Sequence, residues 1–512
     1  MQRFSKISQT LVVVFFSLLS SDCAPQYSQN PSGPNSFSLT SVQTDELHPV
    51  TSDKAVAKEL SRLLAHSGRL GLVSDRPSRE LLKQFYKDNS HRPVWLTGMG
   101  FNWRGAAIIN ELRRADQFGL DARNFRIPNL TFTANGLAQA ELALSVTILR
   151  YAYHAKGWRI DPRQLNSNID RGPRPFDAKR VLQSISTANA PGLYMRALHP
   201  KHPQFEMLRQ KLIVLMSSSS KQAAVQRVLV NMERWRWMPQ ELGAYHIRVN
   251  IPDFRMRVVN HGKIIHVANV VVGKVTNQTP VFSDQMEYLA FYPYWNVPNS
   301  IKTSEIIPQL RRGKDIIRKE NLRVRIGGRD VDPYRIDWRR ADAQKYEFYQ
   351  PPGEKNVLGY VKFMFPNKHS VYLHDTTSKR LFKRDVRLYS HGCIRLQNPA
   401  RLAEILLNKD KGWPRSYVDQ LIQGRVNHRV DLARTIPVHV TYFTAWVDGG
   451  GKLKLHDDYY GHDRLIVGHL TGKSHLIPAP RFKLAAKKNV SAAGYGNSQP
   501  GFNDWIQNIF GF

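Results

Sequence analysis

Val371-Tyr-Leu-His-Asp375 and, beyond a loop, Tyr389-Ser-His-Gly-Cys-Ile-Arg395 decide how the C-terminal half of this chain is read. The first segment is strand-like and ends in a histidine and an aspartate. In the second, a thiol follows a glycine and lies beside His391 and Arg395. Nearby positive charge favours thiolate over thiol, and Gly392 lets the backbone turn tightly, so that successive N–H groups can converge on one point. Converging donors serve the oxyanion of an acyl-transfer intermediate. If residues 376–390 fold back, His374 meets Cys393, giving base and nucleophile on neighbouring strands. Asn398-Pro399 then predicts an N-cap and first turn, opening a helix with Leu402, Ile405 and Leu406 on its inner face.

Outward from these segments the periodicity sorts the chain into two halves. From residue 244 it is two: Tyr245, Ile247, Val249 and Ile251 alternate with His246, Arg248 and Asn250, and Met256 and Val258 continue the pattern. Residues 241–470 therefore predict a mainly β domain. Within it, residues 298–352 are charged and mixed and predict an insertion over the sheet, a lid. Residues 53–240 are helical in period, with Leu142, Val146, Leu149 and Tyr153 on one face. The fold class expected is α+β, a helical domain followed by a sheet-based one.

The ends read differently. Residues 1–23 carry Arg3 and Lys6, an apolar run and then Ser20 and Ser21, the layout of a secretory signal too short to span a bilayer. Residues 24–52, rich in Pro, Ser, Asn and Gln, predict a flexible tether, and residues 471–512 a basic tail. Export to the periplasm follows. Cys23 sits where a lipid-modified cysteine would sit, but Asp22 stands where a small residue is wanted, so lipid anchoring is not favoured. Of the chain's 2 cysteines, Cys393 is thus left as a free thiol outside the cytoplasm, which points to a reactive group.

Among 512 residues, 74 Lys and Arg face 41 Asp and Glu, for a formal net charge of +33, a surface attracted to polyanions. For an exported chain these are cell-wall polymers and anionic lipid head groups, which predicts peripheral wall or membrane association and no nucleic-acid partner. Neither a Walker loop nor a dinucleotide fingerprint occurs.

Ser390-His-Gly-Cys-Ile-Arg395, with His374 upstream, resembles the signature of the YkuD-type L,D-transpeptidase catalytic domain. Asn231-Met-Glu-Arg-Trp-Arg-Trp237, Trp295-Asn-Val-Pro-Asn-Ser-Ile301 and Phe365-Pro-Asn367 are similar to the larger YcbB-type subfamily, and Pro93-Val-Trp95 and Phe118-Gly-Leu-Asp121 to its scaffold domain. The resemblance covers most of residues 80–463. It implies a capping subdomain, and it departs at one place: residues 211–226 stand where larger members carry a small peptidoglycan-binding module.

What the resemblance implies is peptidoglycan 3-3 cross-linking between tetrapeptide stems, with Cys393 forming a thioester and releasing D-alanine. His374 is then the base, and the backbone around Gly392 and Cys393 holds the oxyanion, with no cofactor and no metal. Carbapenem-type inhibitors are expected to react. His391 either tunes the thiol or only bonds the loop; Arg395 suits either orienting the segment or binding a stem carboxylate. Tyr372, Asp375 and Ser390 are candidates to line the site. Two other readings are a zinc-dependent peptidoglycan hydrolase using His374, His391 and Cys393, and a non-catalytic wall-binding scaffold. The first lacks His-Glu-x-x-His and clustered cysteine pairs; the second sits poorly with a chain that keeps both nucleophile and base.

Overall fold

The computed structural model describes residues 51–65, 76–218 and 221–472. The signal segment, Cys23, and nearly all of the tether and tail lie outside them.

The helical half is built round Ala134–Ala155, started by Thr133, whose side chain accepts from Gly136 N–H. The one-face pattern read from Leu142, Val146, Leu149 and Tyr153 understates its burial, because neighbouring helices enclose it on most sides. Leu137, Leu144, Ile148, Tyr151 and Ala155 are buried as well, under helices Asp53–Ala65, Trp103–Leu112 and Ala178–Thr187. Glu141 is carried into this core. It accepts from Tyr86 Oη at 2.9 Å and from the N–H groups of Val94 at 2.7 Å and Trp95 at 3.0 Å, and burial raises its carboxyl pKa to about 7.

The C-terminal half is one nine-stranded sheet. In chain order its strands are β1 Tyr245–Asn250, β2 Arg255–Asn260, β3 Lys263–Gly273, β4 Phe282–Phe291, β5 Val361–Met364, β6 Leu373–His374, β7 Leu388–Ser390, β8 Ile394–Leu396 and β9 His428–Thr441. They lie in the order β7-β3-β8-β6-β5-β4-β9-β1-β2, and β2 also pairs with β3, so the sheet closes on itself. Val249, Met256, Val270, Leu289, Phe363, Leu373 and Ile394 fill one side. Each such side chain contributes about 1.5–3 kcal/mol relative to exposure. Helix Pro399–Lys411 packs Leu402, Leu406 and Leu407 on this core. Asn398 does precede it, but at φ +51° with no capping bond from its side chain; Pro399, pre-set for a first turn, starts the helix instead.

Two features join the halves. Helix Gln222–Arg236 fastens to the sheet domain through Asn231, which exchanges hydrogen bonds of 2.8 Å with Thr444 N and Oγ1, and through Arg234 on Asp463 at 2.5 Å. Trp235 stacks between His202 and Phe443. Secondly, residues 168–171 run along the sheet domain: Asp170 N–H donates to Val281 O, Val281 N–H to Asn168 O, and the buried Arg171 guanidinium to Phe282 O and Val440 O.

The segment expected as a lid over 298–352 is a subdomain with its own sheet and core. Trp295–Asn296, Glu347–Gln350, Arg323–Ile326 and Arg329–Val331 pair in that order, over Ile306, Leu310, Ile316, Val324 and Phe348. Its charged surface hid the buried minority. Among the described residues no helix is long and apolar enough to cross a membrane.

Gly359 closes the turn before β5 at φ +62°, and a Cβ there would fall 2.0 Å from Asp375 Oδ2. Gly359→Ala is therefore expected to destabilise the fold by at least about 2 kcal/mol, from backbone strain and displacement of a buried carboxylate. Urea unfolding measures it; a loss under about 0.5 kcal/mol, the range of a neutral surface change, would contradict the packing described here.

Candidate active site

Strand alternation places the functional side chains. In β5, Val361 and Phe363 point into the core, which turns Lys362 the other way; in β6 and β8, Leu373 and Ile394 do the same for His374 and Arg395. β6 pairs with β5 antiparallel, Lys362 opposite His374, and with β8 parallel, His374 beside Arg395. Lys362, His374 and Arg395 thus share one face. Tyr372, its ring 5.6 Å from His374, and Cys393, just ahead of β8, complete it.

Tyr372, His374, Cys393 and Arg395 of this face floor a cleft of about 930 Å³, while Lys362 stands outside its wall. Trp295, Ile306 and Ile316 of the capping subdomain and Ser167 and Asn168 of the helical half form other walls. Cys393 is half-buried, its Sγ 3.6 Å from Ser370 O. His374 is buried in the same cleft, its Nδ1 without a hydrogen-bond partner among the described residues. The two line one cavity, His374 on β6 and Cys393 just ahead of the adjacent β8, without bonding each other, a separation that substrate binding can close.

Burial dominates the electrostatics. It lowers the His374 imidazole to about 3, helped by Arg395 and Lys362. It pushes the Cys393 thiol up, outweighing Tyr372, Arg395 and Lys362, which act the other way. The expected bias toward thiolate is thus reversed in the free protein, because desolvation penalises the charged sulfur more than its cations reward it. Lys362 and Arg395 are themselves lowered by burial. Neither has a carboxylate partner among the described residues; Lys362 lies over the Tyr372 ring at 5.8 Å.

The remaining candidates separate. Ser390 lines the cleft, donating through Oγ to Cys393 O at 2.5 Å and accepting from Gly392 N–H at 3.1 Å. Gly392, at φ +117°, therefore spends its own N–H inside the loop and does not offer it to an oxyanion, contrary to the paired-donor expectation. His391 also lines the cleft, but its Nε2 meets Glu305 of the capping subdomain at 2.5 Å and Lys274 Nζ at 3.4 Å, away from the thiol. Asp375 does not line the cleft: its carboxylate turns back to Tyr360 N–H and to Lys379, drawn by those donors under the Gly359 turn. Sequence reading missed Lys362, Glu305, Ser167 and Asn168. Alternation in Val361-Lys-Phe-Met364 was a usable signal for the first; the others depend on long-range packing that no local pattern announces.

Among the described residues no three His, Cys, Asp or Glu side chains come together as a metal-ligand set, and His374, His391 and Cys393 do not converge. A polarised acyl group is what the arrangement suits: a thiol, a neutral imidazole and a cation around one cavity.

Residues 80–212 match the scaffold domain family and residues 244–418 the L,D-transpeptidase catalytic domain family. A Haemophilus influenzae protein named "Putative L,D-transpeptidase" is 26% identical over 402 residues, covering 76% of this chain and 79% of its own length. Two solved structures are more distant. The Ldtfm–avibactam carbamoyl enzyme is 15% identical, with a TM-score of 0.19 over 40% of this chain and 50% of that one. The NMR structure of the catalytic domain of the E. faecium L,D-transpeptidase is 16% identical, with a TM-score of 0.17 over 38% of this chain and 95% of that one. Superpositions that slight add nothing to the matches along the sequence. The chain is therefore a member of the L,D-transpeptidase family, a YkuD-type catalytic domain joined to a scaffold domain in the YcbB-type architecture.

Proposed function

We propose that this chain is an exported L,D-transpeptidase that forms 3-3 cross-links between tetrapeptide stems of peptidoglycan through a thioester on Cys393. The observation that carries the reading is the shared cleft wall, where His374 on β6 and Cys393, just ahead of the adjacent β8, lie with Arg395, a cation that has no carboxylate partner among the described residues.

In this reading Cys393 Sγ attacks the carbonyl between the third stem residue and the terminal D-alanine. The S–C bond forms and the amide C–N bond breaks; the thiol proton passes to His374 and from it to the departing amine of D-alanine. An acceptor amine then attacks the thioester, loses its proton to His374, and the thiolate leaves and is reprotonated. Burial leaves the imidazole neutral but a weak base and the thiol protonated but a weak acid, so proton transfer accompanies attack and no ion pair waits beforehand. Arg395 and Lys362 supply charge for the carboxylates of a stem peptide, the guanidinium in bidentate geometry.

Helices Pro203–Met216 and Gln222–Arg236 are joined by residues 217–221, which leaves no room for a binding module between them, and in this reading substrate capture rests on the cleft, the capping subdomain and the basic surface.

Purified protein given tetrapeptide muropeptides is expected to release D-alanine and yield 3-3 linked dimers by mass spectrometry, and Cys393→Ala to fold yet do neither. Unimpaired cross-linking by that variant would remove the central assignment. Chelators are expected to leave the activity intact; loss restored by zinc would favour the hydrolase. A carbapenem is expected to add one inhibitor mass, on Cys393.

The free thiol gives a pH test. Its pKa is raised, so the reactive thiolate fraction is small at neutral pH and grows as pH rises through the ordinary thiol range and beyond it. Alkylation of Cys393 by iodoacetamide is expected to accelerate continuously with pH up to at least about 9. A plateau reached at acidic pH would instead reveal a pre-formed thiolate–imidazolium pair.

A further inference from the structure

Behind the cysteine loop lies a buried bracket that the mechanism above leaves unused. Thr279 Oγ1 donates to Gly392 O at 2.7 Å and accepts from Gly273 N–H at 2.8 Å. Tyr460 Oη holds the same corner from its far side, donating to Gly273 O at 2.5 Å and accepting from Thr279 N–H at 3.3 Å. Thr279 is fully buried and forms no part of the cleft wall, whereas Gly392 and Cys393 do.

The carbonyl of Gly392 and the N–H of Cys393 belong to one peptide unit, and among the described residues no peptide bond is cis. In a trans unit the two point in opposite directions. With the carbonyl drawn down to Thr279, the Cys393 N–H is turned toward the cleft. Among the described residues it donates to no protein acceptor, while its neighbour, Gly392 N–H, is taken by Ser390. One backbone donor is thus left free beside the sulfur, and its aim is set by a hydroxyl on the other side of the loop.

We propose that Thr279, braced by Tyr460, is the positioning residue that points the Cys393 N–H at the developing oxyanion of the acyl transfer. The inference rests on Cys393 being the nucleophile. A hydroxyl is needed at 279 because only a group that donates to Gly392 O while accepting from Gly273 N–H can fix the peptide unit from a dry pocket. Valine has the shape without the donor. Loss of that bond leaves the peptide free to rock, which misaligns the oxyanion donor without removing the thiol.

Two reagents separate this role from a merely structural one. A carbapenem reacts through a tetrahedral oxyanion; iodoacetamide alkylates the same sulfur by displacement, with no oxyanion formed. For Thr279→Val, Cys393 acylation by a carbapenem is expected to slow by at least about tenfold, part of the about 10²–10³-fold that deleting a whole donor costs. Initial carbapenem binding and the iodoacetamide rate are expected to stay within about twofold of the unaltered protein, and Thr279→Ser to restore acylation. Tyr460→Phe loosens the bracket from behind and gives the same ratio of rates if the valine variant does not fold. Equal slowing of both reagents would mean that Thr279 only places the thiol, and undiminished acylation would mean that it does nothing for the oxyanion; either overturns the proposal. Failure of the unaltered protein to take the adduct on Cys393 is a separate result, which sinks the nucleophile assignment and this inference with it.

Discussion

The parallel pairing of Leu373 with Ile394 is the contact on which the rest of the site depends. Both side chains are fully buried, and neither strand can slip by one residue without exchanging its apolar face for its polar one. His374 and Arg395 are therefore held on the cleft face by the cost of exposing their neighbours. Antiparallel pairing of Phe363 with Leu373 extends the same constraint to Lys362. The chemistry stands on a hydrophobic register, which explains how such short strands can keep ionisable groups in place without ion pairs to guide them.

That arrangement has an electrostatic consequence. A buried imidazole and a crowded thiol both shed charge, while Arg395 and Lys362 keep theirs despite a depressed pKa. The resting cleft is therefore cationic with a neutral thiol and imidazole, which in the proposed reaction would suit an anionic peptide and charge that develops only during attack. Contact between His391 and Glu305 adds a direct link from the cysteine loop to the capping subdomain, so the motif that carries the thiol also helps hold the subdomain in place over the cleft.

Much of this was legible in the residues. Alternation from Tyr245 onward marked the sheet domain, the helical period marked the first half, and glycine before cysteine beside two basic groups marked a loop that lines the cleft. What escaped was set by distance along the chain. Ser167 and Asn168 reach the cleft because residues 168–171 pair with the sheet domain far downstream, and Glu305 meets His391 only once the capping subdomain has formed its own core. Asp375 misled because adjacency in sequence says nothing about direction: consecutive residues of a strand leave on opposite faces, and Lys379 and Tyr360 had already claimed its carboxylate. Thiolate bias misled because charge can be counted in a sequence and desolvation cannot.

The short connection at residues 217–221 also bears on how such a chain diversifies. Helices Pro203–Met216 and Gln222–Arg236 lie side by side over Leu208, Leu212, Val225 and Val228, so their pairing does not depend on what joins them. Lengthening a connection adds only about 0.6 kcal/mol of closure entropy per doubling. A whole module could be gained or lost there with little effect on the folding of either neighbour, which makes this connection a natural splice point at which substrate capture can evolve separately from catalysis.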